Sequence, residues 1–468
     1  MATKAKSSAE VSGGFTGKIG YVMAAAASAV GLGNIWRFPY LCAKYGGGIF
    51  LLVYLILVAT FGYTLLVSET MIGRMSKKSP IGAYKDLTAR RSHSTGSKVF
   101  AGVGGWVNAL VPFLICPYYC VIGGWITKYF IEYCRNSVKV MANDDYFGGF
   151  IGKTAQPEIY FIVFLVLTLA IILLGVQKGV ERFSKMMMPA LIVLAIVVSI
   201  YSCTRPGASV GLKYLFVPNF HEFSMMTVAS ALGQLFYSLS IAMGIMITYG
   251  SYTDDSMDVD QSVGQIEIFD TLIAILAGLM IIPAIFAFSG GDPKVLQSGP
   301  SLMFVTLPKV FNSMGLGMAA GIVFFLLVLF AALTSAISLA ETCVATLQDE
   351  LHWSRLKSTL IFAIYAAVIG TCCVFGYSIW SDFTIGGFQI LDFLDFITNS
   401  IMMPFGAFFT CILVFHFVTV KKMDEEIELA SKFKRKKIYN FNVNYLCPIG
   451  LAIIFASSVL NAFGIISM

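Results

Sequence analysis

Gly31, Leu32 and Gly33, followed by Asn34 and Arg37, interrupt an apolar run with two helix-breaking glycines, an amide and a guanidinium. A second apolar run holds Gln234, Tyr237, Ser238, Ser240 and Gly244. Unwinding a helix at such points frees backbone N–H groups on one side of the break and carbonyls on the other. In lipid the freed groups are costly, so a break persists only where it lines a cavity or holds ions. Close helix packing would explain the glycines alone, but not so many polar groups at that depth. Bond-breaking chemistry is not signalled, and no enzyme is expected: His93, His221, His352 and His416 lie in separate loops or near span ends, with no nucleophile or metal spacing around them. The ten cysteines are scattered and form no CxxC or Cys/His ligand set. Cys134 and Cys203, near one membrane face, read as two inert thiols rather than a disulfide.

The elements that must position these residues are membrane helices. Hydrophobic residues make up 57% of the chain and charged residues only 12%, against about 45–50% and about 25% in soluble domains. A soluble interior cannot hide that much apolar surface, and repeated stretches of about 20 apolar residues fit helices that span a bilayer. Spans are expected near 19–42, 47–72, 99–130, 158–177, 183–203, 224–252, 264–288, 313–347, 356–376, 391–419 and 444–466, eleven in all. Phe388–Phe396 carries two aspartates and also reads as loop, which would shorten the tenth span. Basic residues crowd the loops after the second and tenth spans, among them Lys77, Lys78, Arg90, Arg91, Lys434 and Arg435, which places both loops on the cytoplasmic side of a plasma membrane. The N terminus is then inside and the C terminus outside. The net charge of +6 is no nucleic-acid signal, because it sits in these short loops. Residues 2–12 are polar, and no cleavable leader is expected.

The two interrupted spans are the first and the sixth, so a five-plus-five division puts them in corresponding places, the second half entering from the opposite side. Paired interruptions of this kind mark the midplane site of a transporter. The expected organisation is an N-terminal arm (1–18), a first inverted repeat (19–203), an external loop (204–223), a second repeat (224–419), a basic loop (420–443), and a last span with the C terminus (444–468).

The run from Ser28 to Tyr40, SAVGLGNIWRFPY, with Gly46-Gly47-Gly48, Gln234-x-x-Tyr237-Ser238-Leu239-Ser240, the segment Ile247–Tyr252 and Leu333-Thr334-Ser335, resembles the neurotransmitter:sodium symporter family, and within it the prokaryotic amino-acid transporters. The resemblance covers about residues 15–466 and implies an all-α fold with helices one and six broken. It implies a first sodium site from the Ala29 carbonyl, Asn34, Ser238, Asp270 and the substrate carboxylate. A second would use carbonyls of Ala27, Val30 and Ala331 with the hydroxyls of Thr334 and Ser335. The family often has asparagine where this chain has Asp270. Chloride-dependent relatives place a serine one turn later, at Ala274 here, so chloride independence is expected, with Asp270 supplying the negative charge and a route for a linked proton. No organic cofactor is implied.

Gly31 stands where monoamine-transporting relatives carry an aspartate, which points instead to an amino acid. Its carboxylate would meet the N–H groups of Leu32 and Gly33 at a half-helix N terminus and the hydroxyl of Tyr119. Its ammonium would meet carbonyls of Tyr237, Ser238 and Ser240. Its side chain would face Ser28, Ile115, Tyr119, Tyr237, Met243, Ser335 and Leu339, a mostly apolar wall suited to a neutral, hydrophobic or aromatic substrate, with Ala242 trimming the pocket by one methyl. Arg37 and Asp395 resemble an outer gate, with Tyr237 as a lid. Asp349 matches the inner-gate aspartate, but its usual arginine is replaced by Ser12 and the customary tryptophan by Phe15, leaving Lys6 or Lys18 as candidate partners. The expected function is sodium-coupled symport. The alternative is a substrate-sensing relative that binds amino acid and sodium with little transport, whereas a channel would show repeated pore filters. The partners implied are the amino acid, sodium and the lipid bilayer, with the chain as monomer or homodimer.

Overall fold

Backbone N–H and C=O groups find no water in hydrocarbon, so each apolar run closes its hydrogen bonds within itself as a helix. The computed structural model describes residues 13–290 and 300–453. Among the described residues β pairing is confined to two isolated bridges, Gly47 with Pro218 and Ile385 with Phe388. The all-α membrane fold expected from the sequence is the one that forms.

The first expected span is two helices, α1 (Lys18–Ala29) and α2 (Gly33–Lys44), bent by 47° at their junction. Next come α3 (Gly48–Ser76), the short α4 (Pro80–Ala89), α5 (Thr95–Cys134), α6 (Ala155–Leu173) and α7 (Val176–Cys203). The sixth expected span is α8 (Met225–Ser238) and α9 (Ile245–Ser251), separated by the irregular stretch Leu239–Gly244. The remaining principal helices are α10 (Val259–Ser289), α11 (Gly317–Leu351), α12 (Arg355–Gly376), α13 (Ile390–Val418) and α14 (Val420–Glu428). Asp392 and Asp395 lie within α13, so the ambiguous 388–396 segment is helix from Ile390 onward. The connection 204–223 contains its own helix, Ala208–Phe216, packed on α10. Most of the eleventh expected span, 444–466, falls outside the described residues.

Burial separates an inner set of helices from an outer one. The apolar stretch of α11 is 72% buried in the protein and those of α3 and α10 are 67% buried, whereas those of α7 and α12 are 39% buried. The outer helices present residues such as Val163, Val166, Leu360 and Ile364 outward, as a helix apolar on all sides does in lipid. The broken pairs α1/α2 and α8/α9 are packed among α3, α7, α10 and α11, and Tyr119 of α5 reaches Leu32 at the first break. Cys134 and Cys203 are both free thiols.

Candidate functional site

The break in the first span diverts two amides from the helix ladder. Gly31 N–H donates to Asn34 Oδ1 at 3.2 Å and Leu32 N–H to the Tyr119 hydroxyl at 3.3 Å. These are the donors that an unbroken helix would deliver to the carbonyls of Ala27 and Ser28. The Ser28 carbonyl instead accepts from Ser240 Oγ (3.2 Å) and Ser335 Oγ (3.1 Å), and the Ala27 carbonyl loses its ladder donor. Val30 leaves the helix at φ −78° and ψ 94°. Close approach explains the glycines. A Cβ at Gly31 would lie 2.5 Å from Ser335 Oγ, and one at Gly33 would lie 2.5 Å from the Tyr237 ring.

Across from it, Leu239–Gly244 contains two non-glycine residues with left-handed backbone, Ser240 at φ 54° and Ala242 at φ 59°. Such conformations cost about 1–3 kcal/mol each and persist where neighbours fix them. The neighbour here is Glu69 of α3, fully buried, whose Oε1 accepts the Ala242 N–H at 2.8 Å. The sequence reading missed Glu69, although an acidic residue inside an apolar span is a functional candidate by default.

Between the two breaks lies a dry polar cluster. Asp270, on α10 and fully buried, accepts from Ser238 Oγ (2.6 Å), Asn34 Nδ2 (2.7 Å) and the Tyr54 hydroxyl (2.9 Å). Among the described residues no lysine, arginine or histidine pairs with it, so it is not a packing salt bridge between spans. A buried carboxylate surrounded by neutral donors still favours a cation beside it. Gln234 Nε2 donates to the Gly33 carbonyl at 2.9 Å, tying α8 to the start of α2. Thr334 Oγ1 donates to the carbonyls of Phe330 (3.0 Å) and Ala331 (3.1 Å). Its neighbour Ser335 is the α11 hydroxyl that reaches the frayed end of α1, through the Ser28 carbonyl.

A cavity opens beside this cluster. Ser28, Leu32, Gly33, Ile115, Tyr119, Tyr237, Ser240, Met243, Ser335 and Leu339, all expected at a substrate site, line it together with Ala29, Gly31 and Ile245. Ser238 is set back with Asp270 and does not line it. Ala242 does not trim it: its left-handed backbone turns the methyl toward Gly406, where an added Cβ would stand 3.4 Å away. The cavity volume is only about 20 Å³, space for roughly one water, so the walls must part to admit anything larger.

The two ends of the site are closed differently. On one side the Arg37 guanidinium lies over the Tyr237 ring, 5.3 Å from its centre. Arg37 and Asp395 form no direct ion pair; Asp395 accepts from the Tyr118 hydroxyl (3.0 Å) and from Asn399 (2.6 Å). At the end where the chain begins, Phe15 is buried among Tyr21, Tyr249 and Tyr252, and its N–H donates to the Tyr252 carbonyl at 3.1 Å. Asp349 accepts from the Ser79 N–H at 2.6 Å. Lys6 lies outside the described residues.

A buried pair, also missed from sequence, reinforces this end. Glu341 of α11 holds Arg355 at 2.5 and 3.1 Å and accepts from the Tyr252 hydroxyl at 2.9 Å, while Arg355 reaches the Ile172 carbonyl at 2.7 Å. With Glu341 fully buried, Arg355→Ala is expected to cost about 3–5 kcal/mol by stranding the carboxylate. Thermal unfolding in detergent reads this loss. The Arg355→Ala, Glu341→Gln double variant should recover part of it, and an unchanged melting point in the single variant would contradict the assignment.

Two half-helix pairs meeting at a buried cation-friendly cluster are the geometry of a coupled transporter, and the comparisons agree. The model of the Sodium:neurotransmitter symporter family matches residues 12–139 and 131–465. An uncharacterised sodium-dependent transporter of Bacillus subtilis, YhdH, is 34% identical over 96% of this chain and 97% of its own length. One from Haemophilus influenzae is 30% identical over 95% and 98%. The crystal structure of MhsT in complex with L-phenylalanine superposes with a TM-score of 0.84 at 34% identity, covering 95% of this chain and 99% of that one. Since relatives and family model span almost the whole sequence, this chain belongs to the sodium:neurotransmitter symporter family of membrane transporters.

Proposed function

We propose that the protein carries a neutral, hydrophobic or aromatic α-amino acid into the cell together with sodium, independently of chloride. The observation that carries the reading is the juxtaposition of the Leu32 N–H, the Tyr119 hydroxyl and the Asn34–Ser238–Asp270 cluster beside one apolar cavity. A substrate carboxylate received by Leu32, Gly33 and Tyr119 would sit beside a sodium ion held by Ala29, Asn34, Ser238 and Asp270. Carbonyls of Tyr237, Ser238 and Ser240 would take the ammonium. A second ion would use the carbonyls of Ala27, Val30 and Ala331 with Thr334 and Ser335. The apolar side of the cavity, Ile115, Met243, Ile245 and Leu339, favours a side chain without charge, as does the phenylalanine named with MhsT. Ala274, fully buried, offers no hydroxyl for an anion near Asp270.

Coupling follows from linkage: an ion that touches the substrate carboxylate improves substrate binding, and the substrate improves ion binding in return. Two positive charges moving down about 100 mV release roughly 4.6 kcal/mol. That corresponds to a substrate gradient of about 10³-fold. Arg37 and Tyr237 would close the outer side, with Asp395 joining Arg37 as the site tightens, and Phe15 and Asp349 would belong to the inner side.

The test is uptake of single amino acids into proteoliposomes with sodium, lithium or potassium outside. Sodium should drive accumulation of phenylalanine, leucine or another apolar amino acid, and replacing chloride with gluconate should leave the rate unchanged. Binding without accumulation would refute transport, and collapse in gluconate would refute chloride independence.

A further inference from the structure

Between α4 and the start of α5 lies a cavity of about 270 Å³ that the transport site does not use. Lys85, Thr88, Ser92, His93, Ser97 and Lys98 supply its polar wall, and Gly102 lies at its edge. Thr88 is 2% exposed, and its hydroxyl has no hydrogen-bond partner among the described residues. A buried hydroxyl left unpaired at the wall of a cavity marks a place for an outside acceptor or donor. Lys98 and His93 have no ion-pair partner among the described residues, while Lys85 is shared with Glu350 at 2.6 Å. Ser97 sits in the first turn of α5, where the helix dipole also favours an anion.

The other neighbour of this cavity is lipid. From Lys98 onward α5 turns Val99, Val103, Trp106 and Leu110 outward, 60%, 38%, 50% and 41% exposed. Their spacing of four, three and four residues keeps them on one helix face. Nothing lies within 4 Å of a Cβ placed at Gly102, so the route from the polar wall to this apolar stripe is open. A free phosphate would use the basic wall alone; a phospholipid would use both.

We propose that this cavity binds the phosphate of an anionic phospholipid, with Thr88, His93 and Lys98 holding the headgroup and an acyl chain lying along Val99, Val103 and Trp106. Lipids of that class gather at the basic face of membrane proteins, and the site places one against α4 and α5, beside the helices that carry the transport cavity.

Native mass spectrometry of the full chain, released from vesicles of phosphatidylcholine with increasing phosphatidylglycerol, reads the retained lipid. The wild type should retain phosphatidylglycerol, and Lys98→Gln should raise the amount needed by about fivefold. Thr88→Val should act in the same direction. Lys437→Gln, an exposed lysine in the short helix Lys436–Phe441 that follows α14, should leave retention unchanged; an equal loss there would mean diffuse charge attraction and overturn the site. Inorganic phosphate that displaces phosphatidylglycerol at equal concentration would overturn the lipid assignment. Wild-type protein gives a check that needs no variant: a phosphatidylglycerol with a photoreactive acyl chain should label peptides around residues 99–110, and labelling spread evenly over the outer helices overturns the proposal.

Discussion

Asp270→Ala is expected to abolish sodium-driven uptake while leaving a folded, less stable protein. The carboxylate gathers Ser238, Asn34 and Tyr54 within 2.6–2.9 Å, in a place that no side chain reaches from solvent. Its removal leaves those donors facing a void, at about 1–3 kcal/mol for each group that finds no replacement. It also removes the anionic group nearest the proposed first ion, and a cation in a dry site has little to offset its lost hydration without one. Asp270→Asn separates the two effects. The amide keeps an oxygen for Ser238 and preserves the volume, but the negative charge is gone. We expect near-wild-type thermal stability, with the sodium concentration for half-maximal uptake raised about tenfold or more, equivalent to roughly 1.4 kcal/mol. Proteoliposome uptake titrated with sodium, alongside melting curves, distinguishes these outcomes. An alanine variant with unaltered sodium dependence would remove Asp270 from the ion site.

Gly31→Ala should reduce uptake by a comparable margin through a different route. The added methyl would stand 2.5 Å from Ser335 Oγ and 3.1 Å from the Tyr119 hydroxyl. Neither neighbour can withdraw freely: Ser335 Oγ is bound to the Ser28 carbonyl, and the Tyr119 hydroxyl accepts the Leu32 N–H. Relief must therefore come from the break itself, displacing the N–H groups proposed to receive the substrate carboxylate. We expect substrate affinity to fall about 100-fold, near 2.7 kcal/mol, with the helical content of the protein unchanged. Equilibrium binding of labelled amino acid to detergent-solubilised protein measures the affinity and circular dichroism the helicity. Wild-type affinity in this variant would mean that Gly31 is not held against the substrate pocket.

Both residues were visible as letters, but for different reasons. Gly31 and Gly33 break an apolar run, and a membrane helix cannot be broken idly, because its backbone has no water to turn to. The same rule made the helical class and the two interrupted spans readable from sequence. The aspartates at 392 and 395 are ambiguous in sequence because their charges suggest a loop, whereas both lie in α13 where it packs against α5 and α12. The role of Asp270 entered through a family resemblance, and the structure adds that its partners are neutral.

Other features depend on which groups meet across hundreds of residues. Glu69 and Ala242 are separated by 173 positions, and nothing in the sequence around either indicates that one carboxylate oxygen supports a left-handed turn in the break between α8 and α9. That turn then decides that the Ala242 methyl points toward Gly406 and not into the cavity between the breaks, reversing the expectation drawn from its residue type. Arg37 lies over Tyr237, and Asp395 takes Tyr118 and Asn399, because hydrogen-bond partners are chosen by proximity in space. The sequence by itself determined where the chain must be helical and where it must break, since those are local consequences of polarity and backbone freedom. Tertiary structure alone decided which freed groups pair and with which partners, because that depends on distances between helices that no local pattern encodes.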